Sequence, residues 1–407
     1  MSDVSVAFRA ARPGTHAGAL GVALLAFVAG LVYLDTTVSG RQAALWVVGA
    51  LLGIVLYHAS FGFTSAWRRL ISDRRGDGVR AQMVMLALGV LLFFPALSAG
   101  TLFGHPVVGN ISPAGTSLIV GSFVFGIGMQ LGGGCASGTL FAVGGGNTRM
   151  LVTLLFFVIG SLIGTAHFAW WTSLPAPKPF SMIQSFGVGP AIAINLALFA
   201  VFAWLTVVLE KRRHGALAST SSKSSAHHSA PTWLVGPWPM WVGAIALAVL
   251  NFATLALAGR PWGITSAFAL WGAKGAAALG IDVASWSYWH PHTKALAAPL
   301  SFDITSVMDI GIMIGALAAS ALAGRFQLGW RVPARSLVAA IVGGLLLGYG
   351  ARLSFGCNIG AYFSGIVSGS LHGWVWAICA FFGNVVGTAL RPLFGLANEK
   401  TVKQTAC

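Results

Sequence analysis

Long apolar stretches separated by short polar loops run along most of the 407-residue chain. Many of these stretches are about 20 residues long, which is the length that an α-helix needs to cross the hydrocarbon core of a bilayer. The pattern therefore predicts about ten membrane-spanning helices. We expect them near residues 17–34, 43–57, 81–103, 114–131, 150–171, 188–209, 240–258, 302–323, 336–351 and 374–396.

Other apolar segments are too short to span a bilayer or are interrupted by glycine. Two of them contain a cysteine, in Gly132-Gly-Gly-Cys135-Ala-Ser-Gly138 and in Ser354-Phe-Gly-Cys357-Asn-Ile-Gly360. Irregular backbone at membrane depth is tolerated only where protein or an aqueous cavity covers its free polar groups. These segments are therefore predicted to be broken or re-entrant helices that line a cavity.

The two cysteine segments lie in windows that repeat each other without a gap. The coinciding positions are Gly121, Gly126, Gly128, Gly134, Cys135 and Gly138 with Gly343, Gly348, Gly350, Gly356, Cys357 and Gly360. Upstream of each window, a weaker pair of matching elements centres on Thr64 and Thr265. Glycine-broken apolar segments at matching places in two halves are typical of a transport site.

The repeat divides the chain into two related halves joined by a polar linker. An N-terminal tail with an extra helix is expected at 1–42, and the first repeat with an extra helix at 43–209. The Ser-rich stretch 210–237 is the expected linker, the second repeat covers 238–396, and a tail covers 397–407.

Composition supports the membrane assignment. Hydrophobic residues make up 56% of the chain and charged residues only 8%, whereas soluble domains carry about 25% charged residues. The net charge of +15 does not indicate nucleic acid as a partner, because the basic residues gather in a few loops without interleaved aromatic residues. The predicted fold is therefore an all-α integral membrane protein, surrounded by lipid.

The distribution of lysine and arginine predicts the orientation of the chain. With the amino terminus inside the cell, loops 68–80, 211–223 and 325–335 and the basic C-terminal tail all fall on the inner face. Both termini are then cytoplasmic, and the first helix is expected to act as a signal anchor. The cysteine-bearing helices of the two halves then run in opposite directions. The repeats are therefore predicted to be inverted, with their cysteines meeting near the midplane.

The cysteine content indicates neither a disulfide framework nor a metal site. Cys135, Cys357, Cys379 and Cys407 include no C-x-x-C pair, and two motif cysteines alone cannot complete a zinc site. We expect no metal and no cofactor. Cys379 has no counterpart in the first half and is expected to fill the core, and Cys407 is expected to have no role.

A short helix that starts after each motif cysteine would direct free N–H groups and a positive dipole end at the cavity. Such a helix start binds anions without a charged side chain. Alternatively, the glycines only pack helices together, although this does not explain a cysteine in both halves. The expected substrate path comprises Thr64, Gly134, Cys135, Ser137, Gly138, Thr265, Arg352, Gly356, Cys357, Asn358 and Gly360.

Buried cysteines tend to remain neutral thiols, which offer a soft contact to another sulfur without repelling an anion. Thiosulfate fits both features, because its oxyanion end suits helix dipoles and its sulfur suits thiols. We hypothesise that it passes between the thiols through S–H···S contacts, with no covalent step. Arg352 either holds the anion at the entry or caps the carbonyls of its own helix. Asp309 either pairs with a cation such as Lys274 or lies near an interface.

The second cysteine segment, Gly350-Ala-Arg-Leu-Ser-Phe-Gly-Cys-Asn-Ile-Gly-Ala-Tyr-Phe-Ser-Gly365, closely resembles a signature of the YeeE/YedE family, and the first segment resembles its other signature. The resemblance implies a bacterial inner-membrane transporter of sulfur compounds, best known for thiosulfate. It also implies an hourglass fold of two inverted halves with path cysteines at Cys135 and Cys357. A small cytoplasmic TusA-like sulfur carrier is an implied partner.

This chain departs from the family pattern at one place. Thiosulfate importers of the family typically have a third path cysteine in the first broken segment, where this chain has Phe63-Thr64-Ser65. The substrate could therefore be sulfite, sulfide or another small sulfur or selenium species. A passive channel and a membrane thiol–disulfide oxidoreductase are the alternative functions, although the chain has no closely spaced cysteine pair. We expect no enzymatic activity, and no P-loop is present.

Overall fold

The computed structural model describes residues 15–217, 232–329 and 331–399. The first half contains α1 Ala17–Thr37, α2 Gly40–His58, α3 Phe63–Asp73, α4 Asp77–Ala99, α5 Thr116–Gly132, α6 Ala136–Gly144, α7 Thr148–Ala166, α8 Phe168–Ser173, α9 Met182–Phe186 and α10 Val188–His214. A small antiparallel hairpin joins β1 Thr101–Leu102 to β2 His105–Pro106.

The second half contains α11 Thr232–Val235, α12 Met240–Ala258, α13 Thr265–Ala278, α14 Thr293–Ala297, α15 Ile304–Leu322, α16 Ala334–Leu353, α17 Ser364–Val367 and α18 Leu371–Leu390. A π-helix spans Asn358–Phe363. Short 3-10 helices span Val283–Ser285, His290–His292, Leu300–Phe302 and Arg391–Phe394.

Within the described ranges, 10 helical segments are long and apolar enough to cross a bilayer. Each corresponds to one spanning helix predicted from the sequence, so the expected all-α membrane protein is confirmed. Two of these segments contain the cysteine motifs, Thr116–Gly144 and Ala334–Val367. In both, the helix is broken at the cysteine and a shorter helix follows.

The matching helices α5 and α16 cross with almost no side chain between them. A Cβ atom on Gly121 would lie 2.6 Å from the Cβ atom of Leu353. About two turns further along α5, a Cβ atom on Gly128 would lie 2.7 Å from the nitrogen of Leu347 and 3.0 Å from the oxygen of Gly343. Residue numbers rise along α5 while they fall along α16, so the two mates are antiparallel, as inverted repeats require.

Each of these two helices also packs on the other half. Gly126 of α5 faces α18, where an added Cβ atom would lie 2.9 Å from the nitrogen of Asn384. Gly344 of α16 faces α7, where an added Cβ atom would lie 2.6 Å from the oxygen of Thr153. Because α7 and α18 are themselves mates in the repeat, the packing is reciprocal. The halves therefore interlock around α5 and α16 rather than lying side by side.

Ion pairs gather several basic loops on one face. Arg75, in the loop after α3, and Arg80, in the first turn of α4, bond the fully buried carboxylate of Glu210 at 3.0 and 2.8 Å. Arg68 of α3 pairs with Glu399 of the tail. The distribution of lysine and arginine predicts these segments on the inner face. Glu210 itself lies inside α10, which continues to His214, so regular helix extends into the stretch that the sequence suggested as linker.

The close approach of α5 and α16 predicts a selective effect of glycine substitutions. In Gly350→Ala, the new Cβ atom would lie 2.6 Å from the oxygen of Gly121 and 2.7 Å from the nitrogen of Phe125, both rigid backbone atoms. We expect a loss of about 1–3 kcal/mol of stability, measured by thermal unfolding of the purified protein in detergent. Gly21→Ala on α1 is the matched control, because nothing lies within 4 Å of its added Cβ atom. Equal melting temperatures for both variants would contradict the packing.

Candidate substrate path

Both cysteines follow a sharp reversal of the backbone. Gly133 ends α5 with a left-handed φ of 91°, and Cys135 is the N-cap of α6. In the second half, Phe355 and Gly356 take φ values of 59° and 150°, and Cys357 is the N-cap of the π-helix. The predicted helix start after each cysteine is confirmed, although the second begins as a π-helix rather than an α-helix.

Cys135 is buried, with its sulfur at the N-terminal end of α6. The backbone N–H groups of Ser137 and Gly138 belong to the first turn of this helix, near the sulfur, and the hydroxyl oxygen of Ser137 lies 3.4 Å from it. Free N–H groups at a helix start carry partial positive charge. The environment of this thiol therefore favours an anion without a cationic side chain in contact with the sulfur.

Cys357 repeats this arrangement in the second half. The backbone N–H groups of Ile359 and Gly360 belong to the start of the π-helix, near its sulfur. Asn358, which directly follows Cys357, is fully buried, and neither polar atom of its side chain has a described hydrogen-bond partner. Buried polar atoms are normally paired, and exceptions call for an explanation. Asn358 therefore has donor and acceptor capacity that a small polar ligand could use.

A cavity of about 180 Å³ reaches Cys135. Cys357 is not among the residues that line the cavity at Cys135. Its walls include four of the predicted path residues and several that the sequence did not single out. The lining residues are Ser60, Gly62, Phe63, Thr64, Ser65, Arg68, Gly133, Gly134, Cys135, Gly138, Phe141, Ala142, Met150 and Glu399.

On the other side of the cysteine pair, Thr265 and Arg352 form a second polar cluster. Arg352 donates to the hydroxyl oxygen of Tyr288 at 2.6 Å and to that of Thr265 at 3.2 Å. None of its described hydrogen bonds goes to a carbonyl of α16, so it does not cap that helix. Its Nε atom is buried without a described partner. The alternative role, holding an anion at the entry, agrees with this geometry and stays a prediction.

Two buried arginines cap the C-terminal end of α5, beside Cys135. Arg149 donates to the oxygens of Gly132 and Leu131, each at 2.7 Å. Arg391 donates to the oxygen of Gln130 at 2.8 Å. Uncapped carbonyls carry the negative end of the helix dipole. These two guanidinium groups therefore offset negative potential next to the cavity, a role that the sequence analysis missed because neither arginine lies in a repeated motif.

Asp309 and Lys274 do not pair with each other. Lys274 donates to the oxygens of Leu296 and Ala298 at 2.6 and 2.7 Å. Asp309 on α15 is fully buried, and neither carboxyl oxygen has a described hydrogen-bond partner. Since Arg352 is engaged elsewhere, Asp309 has no described counter-charge. It is buried inside the protein, and its placement near a membrane interface stays a prediction.

Cys379 is not among the residues that line the cavity at Cys135. Cys379 is partly exposed on α18, and Cys407 lies outside the described residues. Across the described ranges, no group of three or more histidine, cysteine, aspartate or glutamate side chains is arranged to hold a metal ion.

The fold and the paired cysteine turns define a multi-pass membrane protein with an inverted-repeat transporter architecture. Comparison with known sequences agrees, because the profile of the sulphur transport family matches residues 58–386. The chain belongs to this family. It is 30% identical over 351 residues to the thiosulfate transporter TsuA of Spirochaeta thermophila, covering 83% of this chain and 95% of that protein.

Two further relatives carry transporter names. The chain is 32% identical over 173 residues to the probable transporter YedE of Salmonella typhimurium, covering 42% of each chain. It is 22% identical over 351 residues to the thiosulfate transporter TsuA of Escherichia coli, covering 83% of this chain and 91% of that protein. The relatives are named as transporters, which supports the prediction that this chain is not an enzyme.

The capping of α5 predicts that Arg149 is important for stability. Arg149→Met leaves buried carbonyls without their charged donor, and we expect a loss of about 3 kcal/mol or more. Arg69→Met is the matched control, because the side chain of Arg69 is 36% exposed and pairs with Asp77 at 3.0 Å. Such surface pairs contribute about 0–1 kcal/mol. Thermal unfolding followed by tryptophan fluorescence compares the two, and similar melting temperatures would exclude the capping role.

Proposed function

We propose that this protein imports thiosulfate, or a closely related small sulfur anion, across the bacterial inner membrane. The observation that carries the proposal is the matched placement of Cys135 and Cys357. Each thiol stands at a helix start, with the N–H groups of the second and third following residues near its sulfur. The relatives named as thiosulfate transporters support this choice of substrate.

The chemistry of the two cysteine sites matches the two ends of thiosulfate. The oxyanion end accepts hydrogen bonds from backbone N–H groups at a helix start, where the dipole favours negative charge. The terminal sulfur makes a soft contact with a thiol, which donates only weakly and keeps no charge of its own. Transport then needs no covalent bond, because the anion leaves one thiol for the next through successive S–H···S contacts.

The polar clusters on either side of the cysteines provide entry and exit. Arg352 with Thr265 receives the anion on the outer side, and Asn358 contacts it beside Cys357. The anion then passes to Cys135 and reaches the cavity bounded by Thr64. Both termini are cytoplasmic in this orientation, since the basic loops then lie inside. A TusA-like sulfur carrier would receive the anion at the inner face.

The test replaces each cysteine separately and measures uptake. Cys135→Ala and Cys357→Ala are expected to lower the initial rate of thiosulfate uptake about tenfold or more, the effect of losing about 1.4 kcal/mol of stabilisation. Cys379→Ala is the matched control, because this partly exposed thiol lies on α18 outside the path. The readouts are growth of a sulfur-auxotrophic bacterium on thiosulfate alone and uptake of labelled thiosulfate at equal expression.

Two outcomes would contradict the proposal. Normal uptake by both path variants would exclude the thiol relay. Flux that does not saturate with thiosulfate and that is insensitive to both substitutions would instead indicate a passive channel.

A further inference from the structure

We propose that Arg68 and Thr64 form an oxyanion-binding subsite at the open end of the Cys135 cavity, and that the carboxylate of Glu399 occupies this subsite as an intramolecular competitor. The inference rests on the proposed function and deepens it. It assigns the release step to a guanidinium and a hydroxyl group, and it assigns the C-terminal tail a part in controlling that step.

The guanidinium group of Arg68 binds a carboxylate through two N–H donors on one edge, which is the bidentate geometry that arginine uses for oxyanions. Its Nε atom donates to one carboxylate oxygen of Glu399 at 2.7 Å, and its Nη2 atom donates to the other at 2.5 Å. Two parallel charge-assisted hydrogen bonds of this kind also bind sulfur and phosphorus oxyanions. Both residues line the cavity that contains Cys135. The carboxylate of Glu399 therefore occupies the position at Arg68 where an anion leaving Cys135 would bind.

Thr64 provides a second and independent observation. Its side chain is 3% exposed, lines the same cavity, and has a hydroxyl group without a described hydrogen-bond partner. Thr64 and Arg68 are four residues apart on α3 and therefore lie on the same face of that helix. The N-cap of α3, Gly62, offers no side-chain hydrogen bond to the helix start. An unpaired hydroxyl, free helix N–H groups and a guanidinium thus face one space.

Glu399 differs from the other acidic partners on this face because it is accessible. Its side chain is 34% exposed, whereas that of Glu210, the partner of Arg75 and Arg80, is fully buried. A buried carboxylate with two cationic partners cannot exchange readily with a ligand, but a partly exposed one can. Competition by the tail is therefore specific to Arg68.

The tail is anchored next to this contact but not through it alone. Arg391 donates to the side-chain oxygen of Asn398 at 2.8 Å and to the backbone oxygen of Ala397 at 2.7 Å. Glu399 can therefore swing away from Arg68 while the preceding residues stay in place. Burial raises the pKa of Glu399, but the hydrogen bond and charge of Arg68 outweigh burial and hold this pKa below its ordinary value. The competitor is therefore ionised at neutral pH.

The experiment measures binding of thiosulfate and of sulfite to the purified full chain, together with thiosulfate uptake into proteoliposomes. Glu399→Gln removes the competing charge and is expected to tighten binding of at least one of the two anions several-fold. Arg68→Gln is expected to weaken binding about tenfold or more, because a bidentate charged contact is lost. Arg68→Lys keeps the positive charge but lacks the two parallel N–H donors of arginine. This variant should therefore retain only part of the wild-type affinity. In the double variant, Glu399→Gln should give no gain.

Arg69→Gln is the matched control, since this neighbour pairs with Asp77 and does not line the cavity. Melting temperatures of all variants separate a binding defect from unfolding, and only variants that retain the wild-type melting profile are compared. Unchanged affinity for both anions in folded Arg68→Gln and Glu399→Gln would overturn the inference. If the wild-type protein binds sulfite through Arg68 but does not take up thiosulfate, the proposed cargo fails while the subsite stands.

Discussion

Breaking a helix inside a membrane exposes backbone groups that lipid cannot satisfy, and this constraint shapes the whole molecule. Helices are interrupted beside Cys135 and beside Cys357. These interruptions are tolerated only because protein covers the backbone groups at both. Arg149 satisfies carbonyls at the end of α5. At the opposite break, the hydroxyl of Ser117 donates to the oxygen of Leu353 at 2.7 Å. Close crossing of α5 and α16 brings Ser117 within reach of Leu353, and the glycines along both helices allow this close approach.

The ends of the crossing helices α5 and α16 also bear on the electrostatic potential along the proposed path. The described donors at the two thiols are backbone N–H groups and a serine hydroxyl, while Arg352 and Arg68 stand on either side. A full charge between the cysteines would bind an anion too tightly for release, whereas partial charges at helix starts attract it moderately. Asp309 lies near Cys357 without a described counter-charge, so an ionised carboxylate there would oppose an anion.

The sequence revealed those parts of the structure that both halves share. Glycine and cysteine at matching positions predicted the broken helices and the helix starts at Cys135 and Cys357, because each feature is a backbone requirement that leaves a local mark. The antiparallel mates were predicted from the distribution of lysine and arginine among the loops. Partners distant in sequence left no such mark. The contact between Arg68 and Glu399 joins residues 331 positions apart, and neither lies in a repeated motif. For Arg352, only the structure could show that its described hydrogen bonds go to Tyr288 and Thr265 and not to carbonyls of its own helix.

The two halves differ at the two ends of the proposed path, in the partners that hold Arg352 and Arg68. This difference bears on the proposed direction of transport. Near Thr265, the described hydrogen-bond partners of the Arg352 guanidinium are neutral hydroxyl groups. Near Thr64, Arg68 is held by a carboxylate, which, in the proposed mechanism, an anion would displace and which would displace the anion in turn. Under the proposed direction of transport, the first end would therefore favour capture and the second would favour release. A hydroxyl and a guanidinium lie on α3 where the resemblance implies a third thiol, and in the proposed path they would bind the oxyanion end of the cargo rather than its sulfur.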